Sequence, residues 1–134
     1  MDKSQLTSFG RKYSEAWCSQ KPASVAAFFS TSGSLKVNAD SPAVGREAIT
    51  KVAEGFIIAF PDMIIAMDSL ITNPNGTEFH WTSTDTNAGP GGISNKVKAN
   101  EFEVLKFSED GLIQKSKGSF DAAEYNIQLK EGVR

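Results

Sequence analysis

Cysteine is almost missing from this chain: Cys18 is the only one among 134 residues, so no intrachain disulfide can form and a zinc site built on paired cysteines is excluded. A lone thiol fits a reducing compartment. Histidine is as scarce, with His80 alone. Long apolar runs are absent too. The opening Met1-Asp2-Lys3-Ser4-Gln5 is polar with no apolar run behind it, and nowhere do about 18 apolar residues follow one another, so neither a signal peptide nor a membrane-spanning helix is expected. The plain expectation is a soluble, cytoplasmic protein with no membrane partner. Neither sign of charge dominates, with 14 Lys and Arg against 16 Asp and Glu and a net charge of -2. The basic residues are scattered and form no stripe, which argues against nucleic acid as a partner. Gly-x-Ser-x-Gly, His-Glu-x-x-His and the P-loop pattern do not occur, which removes the common hydrolase, zinc protease and nucleotide-hydrolysing classes.

What is present is a globular balance, 40% hydrophobic and 22% charged residues, in a length that suits one domain over 1–134. Leu6, Phe9, Tyr13, Ala16 and Trp17 recur at spacings of three and four and predict a helix over roughly the first twenty residues. Pro22 suits the first turn of a second, short helix carrying Val25, Ala26, Phe28 and Phe29, which is expected to stop in the cluster Ser30 to Ser34. Leu35 to Val37 predicts a short strand, and 38–45 a loop. Ile49, Val52, Ala53, Phe56, Ile57 and Phe60 fit a third helix, which Pro61 ends because it lacks an N–H and forces its predecessor out of the α region. Beyond it the pattern turns to strands over 63–72, 77–87, 96–108 and 112–120, separated by turn signals, with 109–111 closing a hairpin and a weakly helical segment from Asp121. Helices followed by an antiparallel meander predict an α+β domain with helices on one face of a curved sheet. The glycine-rich 88–95 opens no helix, so a rim loop is a better reading than a phosphate cradle.

Alternation in the strand from Lys96 puts Val97, Ala99, Glu101, Glu103, Leu105 and Phe107 on one face, so two carboxylates share otherwise apolar surroundings. If that face is covered, burial and mutual repulsion would raise and separate their pKa values, which is how a general acid or base near neutral pH is made. If it is exposed, the glutamates are solvated; Phe102 and Val104 could equally mark the buried side. In the preceding strand Phe79, Trp81, Ser83, Asp85 and, if the strand continues, Asn87 share a face, while His80 falls on the polar side. An isolated histidine there is more often a surface residue than a ligand or base. Tyr13 and Trp17, at i and i+4, suit either a pocket wall or plain core.

Taken together, Tyr13-Ser14-Glu15-Ala16-Trp17, Gly45-Arg46-Glu47-Ala48-Ile49, Phe60-Pro61-Asp62 and the segment Phe107 through Asp110-Gly111 to Ile113 resemble, in order and spacing, the SnoaL-like branch of the nuclear transport factor 2 superfold. The resemblance implies a cone: a strongly curved antiparallel sheet whose concave face, closed by three N-terminal helices, holds an apolar pocket, commonly in a homodimer formed through the sheet. It also implies acid/base chemistry by a pocket carboxylate, as in polyketide cyclases and in relatives that isomerise steroids or hydrate epoxides. The strand position resembling the cyclase aspartate falls on Glu103. The family's Gly-Thr-His-x-Gly resembles Asp85-Thr86-Asn87-Ala88-Gly89, so its histidine becomes Asn87, and the family's His-Trp or Glu-Trp pair becomes Ser116-Lys117, a lysine in place of an aromatic wall. The implied function is an isomerase, cyclase or hydratase acting on a small apolar carbonyl compound, with no metal or organic cofactor. In it Glu103 transfers the proton and Asp85 is the second carboxylate. Tyr13 and Asn87 bond the substrate oxygen, Glu101 joins the binding set, and Trp17, Trp81 and Phe107 form the wall. The alternative is a non-catalytic member that binds a ligand or pairs with a protein.

Overall fold

A computed structural model describes residues 2–86 and 95–132. Helix α1 (Lys3–Cys18) opens on a capping box: the Asp2 carboxylate accepts the Gln5 N–H at 2.8 Å and the Gln5 side chain accepts the Asp2 N–H at 2.8 Å. Its buried face carries Leu6, Gly10, Tyr13, Ala16 and Trp17. At Gly10 the helix lies so close to the sheet that a Cβ would stand 2.6 Å from Phe79 Cε1 and 2.8 Å from Met67 Sδ. Helix α2 (Pro22–Ala26) ends earlier than its apolar residues suggest, because Phe29 already begins strand β1 (Phe29–Val37).

That strand corrects the expectation of a break at Ser30 to Ser34. The Ser/Thr/Gly composition has weak β-propensity, but partners on both sides override it. Ser34 and Leu35 pair with β2 (Ala43–Val44), and Ser34 to Val37 pair with Lys115 to Gly118. Gly33 fits because a Cβ there would stand 2.7 Å from the Ile113 carbonyl oxygen. Helix α3 (Arg46–Ala59) follows and buries Ile49, Ala53 and Ile57. Strands β3 (Ile64–Asn73), β4 (Gly76–Thr86), β5 (Lys96–Phe107) and β6 (Ile113–Phe120) make the expected antiparallel meander. The full sheet, ordered β2-β1-β6-β5-β4-β3, is mixed, because β1 runs parallel to β6. The expectation of a wholly antiparallel sheet is corrected at that one pair. Register shifts at Met67/Ser69, Lys106/Phe107 and Phe29/Ser34 interrupt three ladders, and bulges of this kind bend strands and sharpen twist.

Helix α4 (Ala122–Glu131) is capped by Asp121, whose carboxylate accepts the Glu124 N–H at 3.1 Å. It is fastened where β5 runs beyond the end of β6: the Gln128 side-chain oxygen accepts the Lys98 backbone N–H at 2.6 Å, supplying a partner that β6 does not reach. The pocket is thus lined by α4 as well as by α1 and α3. The core between helices and sheet is centred on fully buried Tyr13, Phe29, Ile49, Phe79, Leu105 and Ile113. No described helix is long and apolar enough to cross a membrane. The rim loop expected at 88–95 lies, apart from Asn95, outside the described residues.

Candidate functional site

The burial of β5 decides which side of that strand faces inward. Val97 and Leu105 are buried and Ala99, Glu101 and Glu103 lie between them, whereas Lys98, Asn100, Phe102 and Lys106 are exposed. In β4 the inward set is Thr77, Phe79, Trp81, Ser83 and Asp85. The two inward faces, together with α1, α3 and α4, surround a cavity of about 100 Å³. That is the same order as the ~150 Å³ that accommodates a benzene molecule in an apolar core.

Glu103 sits where three elements meet. Across the sheet it pairs with Phe79 on one side and Gly118 on the other, and Gly118, with no side chain, leaves its inward face open. Its Oε2 accepts two hydrogen bonds, from the Ser116 hydroxyl at 2.7 Å and from the Tyr13 hydroxyl of α1 at 3.2 Å. The Trp81 indole N–H also favours the ionised form but is buried without a hydrogen bond of normal geometry. Burial raises the Glu103 pKa, and these donors, Ser116 foremost, pull it back. Tyr13 is driven well above the usual phenol value, first by burial and then by the charge of Glu103, so it stays a donor.

Two more carboxyl groups line the same cavity. Burial, then Glu103 and Asp85, push Glu101 to about 8. Burial, then Asp62, push Asp85 to about 7. Asp85 is 6% exposed, and its Oδ1 has no hydrogen-bond partner. Tyr125 of α4 closes this end, edge-on to Phe120 at 5.1 Å and to Phe60 at 5.9 Å. Burial, followed by the charges of Asp85 and Glu101, raises it to about 12. The cavity therefore holds three carboxyl groups whose pKa values burial raises, and Glu103 is the one whose rise hydroxyl donors oppose.

The structure brings Tyr13, Trp17, Trp81, Asp85, Glu101 and Glu103 to one cavity. Phe107, expected in the wall, is not part of it: beyond the register shift at Lys106/Phe107 its ring packs edge-on against Phe9 at 4.9 Å. Asn87 lies outside the described residues. His80 is on the outer face, stacked on Phe102 at 5.6 Å, with Nε2 3.3 Å from Glu78. Lys117 is exposed on the outer side of β6, so the lysine expected to replace an aromatic wall is not in the wall. Its neighbour Ser116, which the resemblance singled out without giving it a role, is 1% exposed and bonds Glu103. Its signal was available, since Lys115 and Lys117 flank it and period-two alternation turns a residue between two outward lysines inward. Tyr125 was missed because α4 is only weakly amphipathic.

An α+β domain with a curved sheet around a carboxylate-bearing cavity is the ketosteroid isomerase-like, or nuclear transport factor 2-like, class of fold. Residues 8–129 match the SnoaL-like polyketide cyclase family, and the chain belongs to it. Among solved structures, a SnoaL-like protein from Jannaschia sp. CCS1 superposes with a TM-score of 0.82 at 10% identity, covering 100% of this chain and 99% of that one. A protein of ketosteroid isomerase-like fold from Catenulispora acidiphila DSM 44928, solved with trimethylamine, gives 0.79 at 11% identity over 97% and 95%. The epoxide hydrolase/cyclase-like enzyme SalBIII, of pyran ring formation in the polyether salinomycin, gives 0.77 at 14% identity over 92% and 95%. At such identities the likeness is one of fold. Curated protein sequences yield no match.

Proposed function

We propose that the protein is a cofactor-independent proton-transfer enzyme, an isomerase, cyclase or hydratase, acting on a small, largely apolar carbonyl compound. The observation that carries this reading is the convergence of Tyr13 and Ser116 on one oxygen of Glu103 inside the cavity. Both bonds fall on Oε2, which orients the carboxylate and leaves Oε1 to meet a substrate C–H. Glu103 takes a proton from the carbon beside the carbonyl, and the negative charge that develops on the carbonyl oxygen needs a donor. Glu101, still protonated near pH 7, is one such donor, and Glu103 can itself return the proton it has taken. Trp17 and Trp81 hold the hydrocarbon and keep water from the developing charge.

The test is deuterium exchange beside the carbonyl of cyclopentanone and cyclohexanone in D₂O, followed by NMR. Wild type is expected to accelerate exchange, and Glu103→Gln to lose roughly 10²–10⁴-fold of that acceleration. Equal rates in the two proteins would retire Glu103 as the base and leave a binding member of the family. We also propose a homodimer through the outer face of the sheet, where Ile64, Ile71 and Phe102 are exposed apolar residues. A monomer in sedimentation equilibrium at micromolar concentration would refute it.

A further inference from the structure

Three carboxyl groups line the cavity, and among the described lining residues there is no Lys, Arg or His to balance them. Buried acids are ordinarily paired, because an unpaired charge in a low-dielectric interior is expensive. Glu103 has two hydroxyl donors. Asp85 is different: the residue is 94% buried, it lines the cavity, and Oδ1 has no hydrogen-bond partner. Once ionised, a carboxylate oxygen only accepts, so what ionised Asp85 lacks is a donor, which an ammonium supplies and a carbonyl or ether oxygen does not. Around this end stand aromatic rings, with Tyr125 set edge-on to Phe60 and Phe120. Aromatic residues beside a carboxylate suit an organic cation. A metal ion fits less well, since among the described residues no group of three or more His, Cys, Asp or Glu is placed to hold one.

We propose that the cavity takes a ligand bearing a basic nitrogen, an alkyl- or arylammonium, whose charged end lies against Asp85 on the side of Tyr125 and whose hydrocarbon extends toward Glu101 and Glu103. This names the substrate class of the site described above, a carbonyl compound that also carries an amine, and rests on the cavity being a small-molecule site. The groups bearing on the ammonium are Asp85 from β4, Glu101 and Glu103 from β5, Tyr125 from α4 and Tyr13 from α1. Asp62, in the turn after α3, acts on Asp85, and Lys96 acts on Asp62. Asp85 holds its proton up to about 7. A bound ammonium favours its ionised form, so binding releases a proton and tightens as pH rises, as long as the amine itself stays protonated, while Glu101, at about 8, keeps the proton it donates near neutral pH.

The experiment is isothermal titration calorimetry with benzylamine and benzyl alcohol, which share a skeleton and differ in the charge of one group. It is run at pH about 6 and about 8.5, in phosphate and in Tris, conditions that bracket the titration of the two carboxyls. Benzylamine is expected to bind at least about tenfold more tightly than the alcohol at the higher pH, equivalent to about 1.4 kcal/mol. The advantage should shrink at the lower pH, the heats in the two buffers should differ by the proton released, and Asp85→Asn should abolish the preference. Alcohol binding as tight as amine binding, no binding of either at millimolar concentration, or an amine preference that survives Asp85→Asn would each overturn the proposal. Because the comparison in wild type needs no variant to fold and does not involve Glu103 exchange, an amine result that fails while Glu103-dependent exchange persists removes only the substrate class.

Discussion

Glu101→Gln is expected to make the protein more stable near neutral pH, against the usual outcome of altering a partly buried charged residue. Glu101 titrates at about 8 in the fold against a reference of 4.5. An acid whose folded pKa is raised contributes stability that is full below the unfolded value and is lost as pH climbs toward the folded one. From pH 4.5 to 7 the unfolded chain gives up its proton and the folded chain does not. At about 1.4 kcal/mol per pH unit over 2.5 units, this amounts to roughly 3 kcal/mol. Coupling to Glu103 and Asp85 spreads that loss over the three carboxyls, so about 2 kcal/mol is the expected share recovered by an amide that cannot ionise. The assay is urea unfolding at half-unit steps from pH 5 to 8. Wild-type stability should fall across this window, and the variant's should fall less, with the two curves separating by about 2 kcal/mol between the ends. Parallel curves would refute the reasoning and show that Glu101 is ionised in the fold as freely as in the unfolded chain.

Other expectations follow from single contacts. Ser116→Ala removes the 2.7 Å bond that favours ionised Glu103; hydrogen bonds to charged groups are worth about 1.5–3 kcal/mol, so the Glu103 pKa should rise by roughly 1–2 units, read by carboxyl carbon NMR, and an unchanged value would contradict it. Gly10→Ala should cost about 1–3 kcal/mol of unfolding free energy, since Phe79 is fully buried and stacked on Trp81 at 5.5 Å and cannot yield to the new methyl; a neutral result would show that α1 can shift. Gln128→Ala leaves the Lys98 N–H without its partner and should cost about 1–3 kcal/mol, with faster amide exchange at Lys98; protection equal to wild type would disprove the fastening of α4 to β5.

Much of the architecture was legible because it rests on local pattern. The 3.6-residue spacing of Leu6 to Trp17 and of Ile49 to Phe60 marks α1 and α3, Pro61 marks an end, and alternation marks the meander. Strand β1 was only half legible. Ser30 to Ser34 carry turn-forming residues, and they extend because strands that come later in the sequence offer them partners. The parallel β1/β6 pair joins segments about eighty residues apart, and nothing in either one names the other. At the site, alternation grouped Glu101 with Glu103 and Trp81 with Asp85 but left open which face was covered. Phe102 and Leu105, on opposite sides of one strand, are apolar alike. Phe107 went astray because period-two counting does not survive the register shift beside it.

The sequence by itself therefore determined the class of fold, the order of its elements and the residues that must travel together, since these depend on periodicities a few residues long. The tertiary structure decided which face the helices cover, and with it which carboxylates lose water. It also brought hydroxyls from α1 and β6 to one oxygen of Glu103, across separations of 90 and 13 residues. A proton affinity is set by burial and by neighbours within a few ångströms, and those exist only once distant segments have packed.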